Sequence, residues 1–134
     1  SCRSQMAEGW TRHLRGDLIE TWSAGTAPKS LDPRAVEVMR EAGVDISEHR
    51  SKAVDDLLDV DIDYVVTVCD GAYESCPVFP GRSRIVHQGF EDPPKLAEGA
   101  ASEEEALFHY RRVRDQIREF VESLPEGLAE ERGA

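Results

Sequence analysis

VVTVCDGAYESCPVFPG, residues 65–81, is the stretch on which the fold of this chain turns. Its β-branched opening extends the strand Tyr64–Val68, since such side chains suit a pleated, packed surface. The strand runs directly into Cys69, and Cys76 follows seven residues later on the far shoulder of a short polar loop. Three readings of the pair stand at this point: a structural bridge, half of a metal site, or a working redox couple. The metal reading is the weakest. Six intervening residues exceed the two to four of a zinc knuckle, and no second Cys/His pair completes the set.

Outward from that strand the chain alternates. A helix is expected from Ser4, with Met6, Trp10 and Leu14 at helical spacing and Gly16 as its stop. A strand is expected over Leu18–Trp22. Asp32-Pro33 opens a second helix, with Asp as N-cap and Pro at its first position, and Gly43 closes it. Val36, Met39 and Val44 should supply its buried face. A short helix is expected over 52–58 and a strand over 83–87. A loop is expected from Gln88 through Pro94, and 94–101 should remain loop. Ser102-Glu103-Glu104-Glu105 is a capping box, opening a helix that buries Ala106, Tyr110, Val113, Ile117, Phe120 and Leu124. Strands alternating with helices mean an α/β fold with a parallel sheet. In such sheets ligands bind off the carboxyl ends of the strands. Cys69, the 89–93 loop and the start of the first helix should therefore share one rim.

The 134 residues suit one domain with a single core. The 27 acidic against 16 basic side chains give a net charge of −11, a field that disfavours nucleic acid and anionic membranes as partners. Any small anion must then be held locally, by backbone N–H groups and one or two arginines. No run approaches the 18 apolar residues of a membrane span. Three cysteines cannot close completely as disulfides. With no leader pattern at Ser1, the expected location is the reducing cytoplasm, where cysteines are more often buried, metal-bound or catalytic than permanently bridged.

The chain opens SCRSQMAEGW, residues 1–10. Ser1-Cys2-Arg3-Ser4-Gln5-Met6-Ala7-Glu8-Gly9 resembles the second half of the C-x5-R phosphate loop of low-molecular-weight tyrosine phosphatases. More closely, it resembles their relatives, the thioredoxin-coupled arsenate reductases. The resemblance runs from Ser1 to about Phe120. It takes in Trp22-Ser23-Ala24-Gly25, Val44-Asp45-Ile46-Ser47 with His49, Cys69-x6-Cys76-Pro77, Gly89-Phe90-Glu91-Asp92-Pro93, and Tyr110 to Asp115. It implies a three-layer α/β/α fold with a small parallel sheet; the domain is expected over residues 1–124, and 125–134, with little to bury, is expected to fray. In this family the nucleophilic cysteine lies six residues before the loop arginine. Counting back from Arg3 places it four residues upstream of Ser1, so the polypeptide is expected to begin earlier. Cys2, adjacent to Arg3, should point away from the anion and reads as a packed loop thiol.

The roles that the resemblance implies are specific. Arg3 offers a planar fork to an arsenate or phosphate-like oxyanion, and Ser4 hydrogen-bonds the anion or the thiolate. Asp92 is the general acid for the leaving oxygen. In the family's scheme Cys69 attacks the upstream cysteine and releases arsenite. Cys76 then attacks Cys69, and thioredoxin reduces the resulting disulfide. No bound cofactor is expected, with thioredoxin as electron donor. The family often binds a monovalent cation. Glu8 and Ser23 match two of its ligand positions, but Lys52 occupies a third, so no metal is expected. Two other readings are a phosphatase, which needs no resolving thiols, and a non-catalytic oxyanion-binding or redox module.

Overall fold

The computed structural model describes residues 2–23, 31–49, 62–68 and 84–125. Four helices and two strands occur among them, in the order α1 (Cys2–Arg15), α2 (Pro33–Glu41), β1 (Tyr64–Thr67), β2 (Arg84–His87), α3 (Pro93–Glu98) and α4 (Glu103–Glu122). The expected short helix at 52–58 lies outside the described residues.

The two strands pair in parallel, Tyr64 opposite Arg84 and Thr67 opposite His87. Side chains alternate across a strand, so Val86 goes into the core with Tyr64 and Val66 packed against it, while Ile85 faces outward. The ladder runs on past β2, where Gln88 N donates to Thr67 O at 2.8 Å and Phe90 N to Val68 O at 3.4 Å. The loop 88–92 is thereby tied to the residue that precedes Cys69.

Local signals explain most of the helices. Asp32 Oδ1 accepts from Arg34 N at 2.9 Å, satisfying one orphan N–H of α2. Gly43 ends the turn at φ +86°, where a side chain would be strained. Ser102 Oγ accepts from Glu105 N at 3.1 Å. The return bond of the box is displaced by one residue, with Glu105 Oε2 accepting from Ala101 N at 2.7 Å.

Four expectations are corrected. The first helix starts at Cys2, two residues before Ser4. Leu18–Trp22 is not a strand. Leu18 N and Ile19 N both bond back to Arg15 O at the end of α1, and the segment has no ladder partner among the described residues. The segment 94–101 is not all loop, because α3 occupies Pro93–Glu98. Asp92-Pro93 is the same start signal as Asp32-Pro33, with Gly99 at the close. The faces also shift: α2 buries Ala35, Val38 and Met39, leaving Val36 half-buried. On α4, Leu107 and Val121 are buried while Phe120 is only half-buried.

Helix α4 packs against each of the other three helices. Met6, Trp10, Met39, Ile46, Tyr110 and Ile117 are sealed in the core, each contributing about 1.5–3 kcal/mol by burial. Gly9 permits the close approach of α1 to the chain after α2, since a Cβ there would stand 2.5 Å from Ile46 Cγ2. Arg15 fastens the far end of α1 to α4, donating from Nε to Leu124 O at 2.9 Å and from Nη2 to Glu122 O at 2.7 Å. No helix among the described residues is long and apolar enough to cross a membrane.

Candidate active site

The first turn of α1 lies against the loop 88–92. Arg3 sits in that turn and is 4% exposed. Its Nη1 donates to Phe90 O at 2.8 Å across 87 residues of sequence, and its Nη2 stands 3.8 Å from Asp92 Oδ1. A buried guanidinium retains its charge, so a carbonyl dipole and a carboxylate beside it offset the cost of leaving water.

Asp92 occupies the N-cap position of α3, yet its side chain makes no cap bond. The reason lies in the two residues that follow. Pro93 and Pro94 have no N–H, so the nearest donors a capping carboxylate would use are missing. The carboxylate faces Arg3 instead and remains about one-third exposed, at 31%. It is therefore open to solvent while standing beside the Arg3 guanidinium.

Cys2 is buried, at 7% exposure, within the core cluster. Burial, followed by the Asp32 and Asp92 carboxylates, pushes its thiol well above the ordinary range, with Arg3 opposing. A thiol held protonated is a poor nucleophile. Its packed state agrees with the sequence reading, but it lies in a helical turn and not in a loop. Ser4 is half-buried, one residue beyond Arg3. Cys69, Cys76 and Lys52 lie outside the described residues.

Behind Cys2 stands a pair that sequence reasoning missed. Tyr110 Oη donates to Asp32 Oδ2 at 2.7 Å, joining α4 to the N-terminus of α2. The hydroxyl proton is held above its usual range, by burial first and then by the carboxylate. Both residues carried a sequence signal, Tyr110 as a buried-face position and Asp32 as an N-cap. Nothing in the spacing connected them.

Glu8, buried at 3%, accepts a short hydrogen bond from Ser23 Oγ at one oxygen. Its other oxygen is 3.0 Å from Arg12 Nη2 and 3.9 Å from His49 Nδ1. Glu8 and Ser23, the two described positions that the resemblance matches to cation ligands, are thus bonded to each other, and Arg12 stands beside the carboxylate.

The family model for low molecular weight phosphotyrosine protein phosphatases matches residues 1–134. An arsenate reductase of Halalkalibacterium halodurans is 45% identical over 126 residues, covering 94% of this chain and 88% of the relative. The chain belongs to the arsenate reductases of this phosphatase family. Its fold is accordingly the three-layer α/β/α arrangement around a small parallel sheet. A solved arsenate reductase in the phosphate-binding state is similar at TM-score 0.75 and 32% identity, covering 92% of this chain and 88% of that one. A thioredoxin-dependent arsenate reductase of Corynebacterium glutamicum matches at TM-score 0.58 and 29% identity, covering 90% of this chain and 55% of that one. Against this family, the sequence reading missed the Phe90 carbonyl. A backbone acceptor has no side-chain signature, so only folding could reveal it.

Proposed function

We propose that this chain reduces arsenate to arsenite by a thiol relay. Arg3 and Ser4 hold the oxyanion, Asp92 protonates the leaving oxygen, and Cys69 and Cys76 form the disulfide that thioredoxin reduces. The observation that carries this reading is the convergence of Arg3 and Asp92 on the end of β1. One residue, Phe90, bonds both to Arg3 and to Val68, the neighbour of Cys69.

The chemistry follows from those positions. In the relay that the family resemblance implies, a cysteine thiolate six residues before the loop arginine attacks arsenic and forms an As–S bond. An oxygen departs as water with a proton from Asp92. The Cys69 thiolate attacks that sulfur, the As–S electron pair returns to arsenic, and arsenite leaves with arsenic reduced by two electrons. Cys76 then attacks the Cys69 sulfur and releases the first cysteine as thiolate. The dithiol of thioredoxin returns two electrons to the Cys69–Cys76 disulfide. A reducing cytoplasm, where thioredoxin is kept reduced, suits this cycle.

Arsenite measured after one turnover and at steady state tests the relay in the polypeptide that carries the upstream cysteine. Cys76→Ser should complete one turnover and then stop. Cys69→Ser should fail to release the first arsenite. A Cys76→Ser protein that cycles with thioredoxin as fast as its parent refutes the relay. Aryl-phosphate hydrolysis by that protein, with no arsenite from the parent, would favour the phosphatase reading.

A further inference from the structure

An arginine serves an oxyanion only when its fork is aimed. Its long side chain carries about 2 kcal/mol of rotamer entropy, so something other than the substrate must hold it. Here one fixed partner is the Phe90 carbonyl, at 2.8 Å from Nη1. The question becomes what fixes Phe90, which sits in a loop with strand on one side and α3 on the other.

Its backbone N–H makes one long bond, 3.4 Å, to Val68 O. Its ring is held better. Phe90 is 7% exposed and meets Phe120 of α4 edge to face, with centroids 6.2 Å apart and planes at 67°. Such pairs add to the burial of the rings and have a preferred geometry. The ring thus places the carbonyl that aims Arg3, and Asp92 follows two residues later on the same short segment.

We propose that Phe120 is a positioning residue for oxyanion binding, acting through the Phe90 ring and carbonyl on the Arg3 guanidinium. The inference rests on Arg3 being the oxyanion ligand. The pair also borders an open cleft of about 440 Å³ lined by Gln88, Gly89, Phe90, Gln116, Glu119 and Phe120. Shrinking Phe120 therefore widens an existing opening and leaves no sealed void in the core. The loop loses its stop while the fold is largely spared.

The test is calorimetric binding of inorganic phosphate to the full polypeptide. Phe120→Leu should weaken phosphate about fivefold, the order of one lost hydrogen bond. Phe120→Tyr, which keeps the ring, should bind within about twofold of the parent. Ile117→Val, one turn away in the core, should lower the melting temperature without changing phosphate affinity. Phe120→Met replaces the Leu variant if that protein does not fold. Unchanged affinity in the shortened variant, an equal loss in Ile117→Val, or failure of Tyr to restore binding overturns the positioning role. A parent that binds no phosphate overturns the oxyanion site itself, and this proposal with it.

Discussion

Replacing Tyr110 with Phe removes one oxygen and keeps the ring. Tyr110 is 1% exposed, so the packing of α4 against α1 and α2 survives the change. What is lost is the bond from its hydroxyl to Asp32 Oδ2 at 2.7 Å. The other carboxylate oxygen stays engaged with Arg34 N at 2.9 Å. A hydrogen bond to a charged acceptor contributes roughly 1.5–3 kcal/mol. Asp32 is only half-buried, so water can replace part of it, and the expected cost is about 1.5–2 kcal/mol. For a chain of this size that lowers the melting temperature by roughly 5–8 °C. Urea unfolding followed by circular dichroism gives the free energy. The same pair fixes a pH dependence. Folding raises the Tyr110 pKa above its ordinary 10.0, so the proton binds more tightly in the folded state. Its contribution is full below pH 10 and is lost as pH rises beyond that, because the unfolded chain ionises first. The gap between parent and variant should therefore narrow above about pH 10. A cost under about 0.5 kcal/mol at pH 7, below the usual range for such a bond, or a gap that widens in alkali, would refute the reasoning.

Arg3→Lys keeps the charge but gives up the fork that reaches Phe90 O and an oxyanion together. Phosphate affinity by calorimetry should fall at least tenfold, as for loss of a charge-assisted bond of about 1.5 kcal/mol or more; binding within threefold of the parent would count against Arg3 as the ligand. Because Ser23 and Arg12 already engage Glu8, exchanging potassium for choline at fixed ionic strength should move the parent's melting temperature by less than about 1 °C, since only a bound ion would stabilise it. A larger rise with potassium would mean that the ion displaces the Arg12 contact.

The elements read well wherever the instruction is local. Asp32-Pro33 and Ser102 to Glu105 start helices because their side chains bond to backbone two to four residues away. The miss at α3 has the same origin. Asp92-Pro93 is as good a start signal, but two prolines and a nearby glycine read as loop, and six residues show little periodicity. Leu18–Trp22 failed for the opposite reason, since a strand exists only with a partner and apolar character alone supplies none. The helix faces were half right. A spacing of three or four residues identifies a stripe, yet the width of that stripe depends on the neighbours, which brought Ala35, Leu107 and Val121 inward.

The sequence by itself determined the α/β class, the caps of α2 and α4 and the family motifs, and it named Arg3, Asp92, Cys69 and Cys76 as candidates. Those depend on residue type and on spacings short enough for one segment to settle. The tertiary structure alone decided that Arg3 rests on the Phe90 carbonyl 87 residues away, that Asp92 turns from its own helix toward that arginine, and that Tyr110 holds Asp32 across 78 residues. Each of these contacts costs chain entropy to close and gains only once the core has packed. No local pattern in the sequence can encode them.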